Sequence, residues 1–537
     1  MSLSTKIKNR DGDECMILLE ANQLKKYVKD RLLFDIEHLS IQKNDRIGLV
    51  GQNGSGKTTL MEVLAGKQRT EQGSISATAT RELLPQLKNT NTTKSGGEIT
   101  QDYINRSLAK KPNILFADEP TTNLDTDNIE KLEQQLNRWQ GAFIVVSHDR
   151  AFLDSLCTTI WELNEGKLQV YKGNYSDYTE QKELERKQQE SAYEQYQRKK
   201  QQLENALELK EQKAQRATKK PKQLSNSEAR IKDAKPYFAN KQKKLRQSAN
   251  AIETRLEKLV KVEKMKEWPS IKMHLPNEET LKNRIILRLE DMETKVAGRL
   301  LWQTGHIDVT SREKIAIIGK NGSGKTTLMR KIRNEAAGVT TSPAVKIGYF
   351  SQNLDVLDVN KSILENVSNT SNQNETLIRT VLARLRFFRD DVYKKTDVLS
   401  GGERVKVTFA KLFVSDINTL LLDEPTNFLD IEAVEALEGL LQDYEGTVLV
   451  VSHDRRFIAS VASRIFDIKE KFIHNFDGTY DAYKQANGQT ADPVEEDLLI
   501  LETKITEVLG KLSIEPSEEL EQEYQRLLAL KRRQQEN

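Results

Sequence analysis

Cysteine is nearly missing from this chain. Cys15 and Cys157 are the only two in 537 residues, they stand in unrelated contexts, and neither has metal-ligand spacing around it. That excludes a disulfide framework and a zinc centre, and it fits a reducing compartment. Long apolar runs are also missing. The longest, such as Ile144 to Val146 or Thr419 to Leu422, fall far short of the roughly 20 residues a spanning helix needs, so a membrane-embedded role is not expected. Met1 to Glu14 is polar and mixed in charge and has no apolar core of the kind a secretory signal carries. What remains is 37% apolar and 30% charged residues, the balance of a cytoplasmic globular protein. At this length it should hold two or three domains rather than one core.

Net charge is only +3, but it is unevenly spread. Residues 181–270 hold 24 Lys/Arg against 13 Asp/Glu, a local +11 that leaves −8 for the rest. A basic segment between two mildly acidic bodies points to a polyanionic partner engaged by that segment.

The chain is internally duplicated. Gly51, Gln52, Asn53, Gly54, Ser55, Gly56, Lys57 and Thr58 recur as Gly319, Lys320, Asn321, Gly322, Ser323, Gly324, Lys325 and Thr326. Each loop follows an apolar run (Arg46 to Val50, Lys314 to Ile318) and precedes a helix expected to open at Thr59 or Thr327. Ser95, Gly96, Gly97 and Glu98 recur as Ser400, Gly401, Gly402 and Glu403. Asp118-Glu119 recurs as Asp423-Glu424, and Ser147-His148-Asp149 as Ser452-His453-Asp454. The spacings agree: 24 positions from Ser95 to Glu119 and from Ser400 to Glu424, then 29 from each glutamate to its histidine.

These residue types carry phosphate chemistry. A loop of this form after a strand wraps phosphates with backbone N–H groups. Its lysine (Lys57, Lys325) reaches the β/γ-phosphates, and its hydroxyl (Thr58, Thr326) holds Mg²⁺. Asp118 and Asp423, ending apolar strands, are expected to anchor Mg²⁺, and Glu119 and Glu424 to orient or deprotonate the attacking water. His148 and His453 read as γ-phosphate sensors, and Gln86 and Gln352 are placed to face Mg²⁺ and that water. The amides of the Ser-Gly-Gly turns can donate to a phosphate at a helix N-terminus.

Between the copies, residues 181–270 are Glu/Gln/Lys/Arg-rich with sparse apolar positions. Tyr196, Leu203 and Leu207 form one stripe and Ile252, Leu256 and Leu259 another, the pattern of an antiparallel helix pair. Pro221 and Pro236 bracket the break, and the tip is placed near 221–236. Each arm would run about 40 residues, on the order of 60 Å at ~1.5 Å per residue. From Lys213 to Arg246 there are 12 basic and 2 acidic residues. This suits RNA phosphates, although a solvated charged helix pair has the same composition. After the second copy, Leu498, Leu501, Ile505, Val508 and Leu512, then Leu520, Tyr524 and Leu527 beyond Pro516, predict a small helical hairpin.

Together the phosphate loops and Ser-Gly-Gly-Glu turns resemble the ATP-binding cassette superfamily. The Ser-His-Asp-Arg runs at 147–150 and 452–455 and the charged interdomain helices are similar to its class F branch. Thr93 to Glu98, Lys213 to Lys222 and Leu501 to Leu509 resemble the Vga-type ribosome-protection proteins. The resemblance begins at Met16, the expected native start. It implies an α/β fold of two P-loop cassettes in a monomer, joined by a coiled-coil-like helical linker and followed by a C-terminal helical hairpin. The domains are expected as a polar tail at 1–15, cassettes at 16–180 and 271–485, the linker at 181–270 and an extension at 490–537. In that family paired cassettes close head-to-tail on two ATP molecules with Mg²⁺. Ser400 would then complete the site of Lys57, and Ser95 that of Lys325. It further implies an ATPase bound at the E site of the 70S ribosome, on rRNA of the 50S subunit. The linker would reach past P-site tRNA to dislodge lincosamides, group A streptogramins and pleuromutilins, with no DNA or membrane partner.

Two departures stand out. Lys57 to Ser95 spans 38 positions but Lys325 to Ser400 spans 75, so the first cassette lacks most of a helical subdomain between Gln86 and Ser95. Tyr27 suits an adenine-stacking position, and Lys295 at the matching offset is not aromatic. Two ATP molecules with unequal hydrolysis are expected. A general class F translation factor and a transporter ATPase subunit are the competing readings.

Overall fold

The computed structural model describes residues 6–8, 14–28, 30–84, 96–122, 124–216, 234–262, 276, 281, 284–296, 298–351, 357–427, 429–488, 508, 521–522 and 524–527. The chain divides into two compact units, Met1–Tyr178 with Ser270–Asn537, and Thr179–Pro269. Most of the expected C-terminal hairpin and of the linker tip lies outside the described residues.

Within the larger unit the duplication becomes two similar sheets. In the first the strand order is Lys167–Lys172, Thr159–Asn164, Arg46–Val50, Ala142–Val146, Ile114–Asp118, Arg81–Leu84. In the second, Phe472–Asp477, Arg464–Lys469, Lys314–Gly319, Thr447–Val451, Thr419–Asp423 and Ile347–Phe350 follow the same order, extended by Arg299–Gln303 and Glu293–Val296. The central strands pair in parallel. Ile114–Asp118, Ala142–Val146, Thr419–Asp423 and Thr447–Val451 are buried at every position. Strands covered on both faces demand such near-continuous apolar runs. Because the strands are parallel, their C-terminal ends lie along one edge, and the phosphate loops and Asp-Glu pairs fall there.

Both phosphate-loop helices open two residues earlier than expected, at Lys57 and Lys325, as Lys57–Leu64 and Lys325–Arg333. The reason is glycine at the N-cap: Gly56 (φ 104°) and Gly324 (φ 98°) are left-handed. A Cβ there would also sit 2.6 Å from Leu33 or 2.7 Å from Trp302, so only glycine suits both the torsion and the close approach.

Between Ser362 and Ser400 the second cassette carries the helices Ile363–Ser368 and Glu375–Arg384 and the short turn Arg389–Tyr393. The corresponding stretch of the first cassette has no room for them by length.

The smaller unit is helical. Tyr175–Arg216 is a continuous 42-residue helix, and Ala234–Glu257 is a 24-residue one. The stripes Tyr196, Leu203, Leu207 and Ile252, Leu256, Leu259 are half-buried, and Ala214 and Ala249 are buried. Pro236 does not bound the returning helix but lies in its first turn, where an N–H would have no intrahelical acceptor.

Candidate functional site

A cleft of about 1070 Å³ runs between the two cassettes. Its lining includes Gln52, Asn53, Glu119 and His148 of the first cassette, Asn321, Gly322, Glu424 and His453 of the second, and Thr122, Leu124, Ser400, Gly402 and Glu403. Residues of the first phosphate loop and of the second Ser-Gly-Gly turn thus line the same cleft. Ser400 is the N-cap of the helix Gly401–Val414, with Glu403 closing a capping box, so this turn presents the positive end of a helix to the cleft. Ser95, Gln86 and Gln352 lie outside the described residues, while Gly96 and Gly97 open the helix Gly96–Ala109. Tyr27 is 41% exposed and does not line the cleft, although nearby Arg31 does.

Both lysines are buried and folded back on their own loops. Lys57 Nζ donates to the carbonyls of Gly51 (2.7 Å) and Gln52 (3.0 Å), and Lys325 Nζ to those of Gly319 (2.7 Å) and Lys320 (3.1 Å). Burial holds both amines below their ordinary range. An anion at the loop would relieve that desolvation.

Of the Mg²⁺ donors expected from sequence, the Thr58–Asp118 and Thr326–Asp423 pairs fit the ion. Thr58 hydrogen-bonds Asp118, whose Oδ2 is buried with no hydrogen-bond partner among the described residues. Thr326 Oγ1 donates to Asp423 Oδ1 at 3.2 Å. A hydroxyl and a carboxylate beside a phosphate loop are the hard oxygen donors Mg²⁺ takes along with substrate phosphates. The sites are not identical, because Tyr349 Oη also donates to Asp423 Oδ2 at 3.3 Å. In the first cassette Leu83 occupies the matching strand position, so Asp118 lacks that donor.

Glu119 and Glu424 follow directly, with φ of 52° and 50°. Each left-handed residue is fixed by its own N–H, which donates to Val146 or Val451 across the sheet at 2.8 and 2.9 Å. Left-handed φ is a costly conformation for glutamate, and it recurs at both equivalent positions. His148 Nε2 lies 3.2 Å from Glu119 Oε1, and His453 Nε2 lies 3.3 Å from Glu424 Oε1.

Burial first, and then the neighbouring Asp118, push Glu119 up to about 8. Burial likewise raises Glu424 to about 8, with Asp423 adding to it and Lys325 opposing. Burial and the nearby lysines pull His148 down to about 4 and His453 to about 3. Both shifts favour the uncharged form of each pair. The linkage has a definite sign. Above the ordinary carboxylate value the fold retains protons that the unfolded chain releases, so stability falls as pH rises. The histidines act oppositely, but only below their ordinary 6.5. Between pH 6.5 and 8 the nucleotide-free protein should lose stability, on the order of 1 kcal/mol per carboxyl, read as a falling melting temperature. The slope should vanish in Glu119→Gln/Glu424→Gln; a melting temperature that climbs across this window, or an unchanged slope in the variant, would refute the reading.

The cassettes are joined by a crossed set of polar contacts that the motifs did not reveal. Asp125 caps the helix Thr126–Arg138 through Oδ1, accepting from Asn128 N at 3.1 Å, while Oδ2 accepts from Asn321 N of the opposite loop at 2.9 Å. Asp430 repeats this on Ile431–Asp443, its Oδ1 taking Ala433 N at 2.9 Å and its Oδ2 taking Asn53 N at 3.1 Å. Arg150 grips Glu438 of the other cassette, and Arg455 grips Glu133. Asp125 and Asp430, Glu133 and Glu438, and Arg150 and Arg455 repeat at a sequence offset of 305, whereas Asn53 and Asn321 repeat at 268 with the phosphate loops they belong to. Extending the duplication past the motifs would have flagged them, but an aspartate before a helix reads as an ordinary cap.

Two family models, both described as ABC transporter, match this chain, one at residues 34–90 and 303–427, the other at 161–237. The erythromycin resistance ATP-binding protein MsrA of Staphylococcus epidermidis is 32% identical over 485 residues, covering 85% of this chain and 99% of that protein. The ribosome protection protein VmlR of Bacillus subtilis (strain 168) is 32% identical over 520 residues, covering 90% and 92%. The chain belongs to the ABC-F family. As an ABC-F protein it is a P-loop ATPase that binds and hydrolyses ATP. Its fold is also that of the solved RNase-L Inhibitor, with a TM-score of 0.57 at 17% identity over 87% of this chain and 93% of the other. Among the described residues of this ABC-F chain no helix is long and apolar enough to cross a membrane.

Proposed function

We propose that this protein is a cytoplasmic ribosome-protection ATPase that works as a nucleotide-driven clamp. The observation that carries the reading is its full-length likeness to VmlR, a ribosome protection protein, and MsrA, an erythromycin resistance protein. The crossed contacts between each phosphate loop and the opposite cassette support the clamp.

Two ATP molecules bind in the cleft, one on Gly51 to Thr59 and one on Gly319 to Thr327. Each is completed by the serine-glycine turn opposite, Ser400 to Gly402 for the first and Ser95 to Gly97 for the second. Thr58, Asp118 and Gln86, and Thr326, Asp423 and Gln352, would hold Mg²⁺, which neutralises charge on the β/γ-phosphate oxygens. Glu119 and Glu424 orient the attacking water and take its proton; His148 and His453 hold those carboxylates and sense the γ-phosphate. With ATP bound, the protein sits at the E site on 50S rRNA. Its basic linker reaches past P-site tRNA and dislodges lincosamides, group A streptogramins and pleuromutilins. Hydrolysis releases it.

Shortening the linker within Gln223 to Lys235 separates this reading from that of a general translation factor. ATPase activity is expected to stay within twofold of the parent while minimum inhibitory concentrations fall to those of a strain lacking the protein. Unaltered inhibitory concentrations would remove the linker from the protective mechanism.

A further inference from the structure

At the cassette interface the duplication breaks down around Arg456. Where the second Ser-His-Asp-Arg run continues with Arg456, the first continues with Ala151. Arg456 points across to the first cassette. Its Nη2 lies 3.0 Å from Asp154 Oδ2 and donates to Ser176 Oγ at 2.6 Å. Its Cζ stands 5.3 Å from the centre of the Tyr175 ring. Asp154 in turn accepts from Ser176 N through Oδ1 at 2.7 Å. Three pieces thus meet at one guanidinium: the second-cassette helix Arg455–Val461, the first-cassette helix Arg150–Leu156, and the first turn of Tyr175–Arg216.

That first turn is rigidly seated. Tyr175 is 2% exposed and lies 5.6 Å from Tyr178, which stands edge-on to Tyr171 at 5.0 Å. The helix it begins continues unbroken to Arg216. A helix that stiff converts a small displacement of its first turn into a larger one at its far end. Guanidinium suits the task because one planar group can pair with a carboxylate, donate to a hydroxyl and stack on a ring together, which a lysine cannot do. The repeat-related helix Tyr480–Gly488 is engaged differently, by an ion pair between Lys484 and Glu130.

We propose that Arg456 is a positioning residue through which the second cassette fixes the root of the linker helix when the halves close. ATP occupancy is thereby transmitted to the linker through one side chain. The inference rests on the clamp reading above, and its test keeps the two apart.

In a Glu119→Gln/Glu424→Gln protein with Cys15→Ser, spin labels are placed at exposed positions. The pair Gln68→Cys/Glu470→Cys reports closure, and Glu185→Cys/Glu470→Cys reports the linker helix. With ATP both distance distributions are expected to become single and narrow. Adding Arg456→Gln should leave the closure pair narrow but at least double the width of the linker pair, and Arg456→Lys should restore part of the order. A linker pair that stays narrow in Arg456→Gln overturns the role of Arg456 alone, as does loss of closure in that variant, which would mark a plain interface contact. Failure of the parent to close overturns the clamp and this inference with it.

Discussion

Replacing Glu119 and Glu424 together by glutamine should reduce ATP turnover by about 10²–10⁴-fold while leaving ATP bound. Glutamine matches the shape of each side chain but cannot take a proton from water. It also keeps these positions uncharged, the form that burial and Asp118 or Asp423 already favour, so the fold should tolerate it well. The carboxylates are aimed by the backbone, since each glutamate's left-handed φ is held by a cross-sheet hydrogen bond. Glutamine inherits that geometry. The variant should consequently accumulate on ribosomes with ATP and fail to leave, measured by co-sedimentation. Turnover above a tenth of the parent value would show that neither carboxylate is the base; unchanged ribosome occupancy would refute release by hydrolysis. The single variants should differ, because Asp423 has a Tyr349 donor and Asp118 does not.

The catalytic half of each site was legible in the sequence because its parts are local. A strand, a glycine loop and a helix follow one another between Arg46 and Leu64, and the Asp-Glu pairs end strands whose apolar runs are unmistakable. The duplication then located the second set from the first. The helix openings were placed two residues late because Gly56 and Gly324 act as caps with no side chain to announce it. What joins the halves was not legible. Asp125 and Asp430 look like ordinary helix caps, and they are; only their second oxygens reach the other cassette. Arg150 and Arg455 close the Ser-His-Asp-Arg runs without any sign of a distant partner, yet both side chains are largely buried against partners about 300 positions away. No periodicity encodes a contact of that range, since it depends on how two finished domains face each other. Tyr349 was missed for a related reason, being an ordinary strand tyrosine until its hydroxyl is seen beside Asp423.

Arg150→Ala is expected to weaken ATP-driven closure far more than the loss of a surface ion pair would. The Arg150 and Glu438 side chains are only 7% and 12% exposed, and truncating one leaves the other charge buried beside Glu435 and Asp454. Stranding a buried charge costs about 3–5 kcal/mol, or about two to four orders of magnitude in the closing equilibrium. Arg150→Met/Glu438→Met should be milder, because no lone charge remains. The mirror variant Arg455→Ala strands Glu133 in the same way. The two effects should not add. Arg150 lies 3.8 Å from Asp454 and Arg455 lies 3.8 Å from Asp149, and beyond burial Asp454 raises Asp149 while Arg455 opposes it. One four-membered network therefore spans the interface, and loosening one side relaxes the other. The lifetime of occluded ATP in the hydrolysis-deficient background, measured for each single and the double variant, tests this directly. Strict additivity would mean two independent clasps, and an unchanged lifetime in Arg150→Ala would mean that the crossed arginines do not hold the clamp shut.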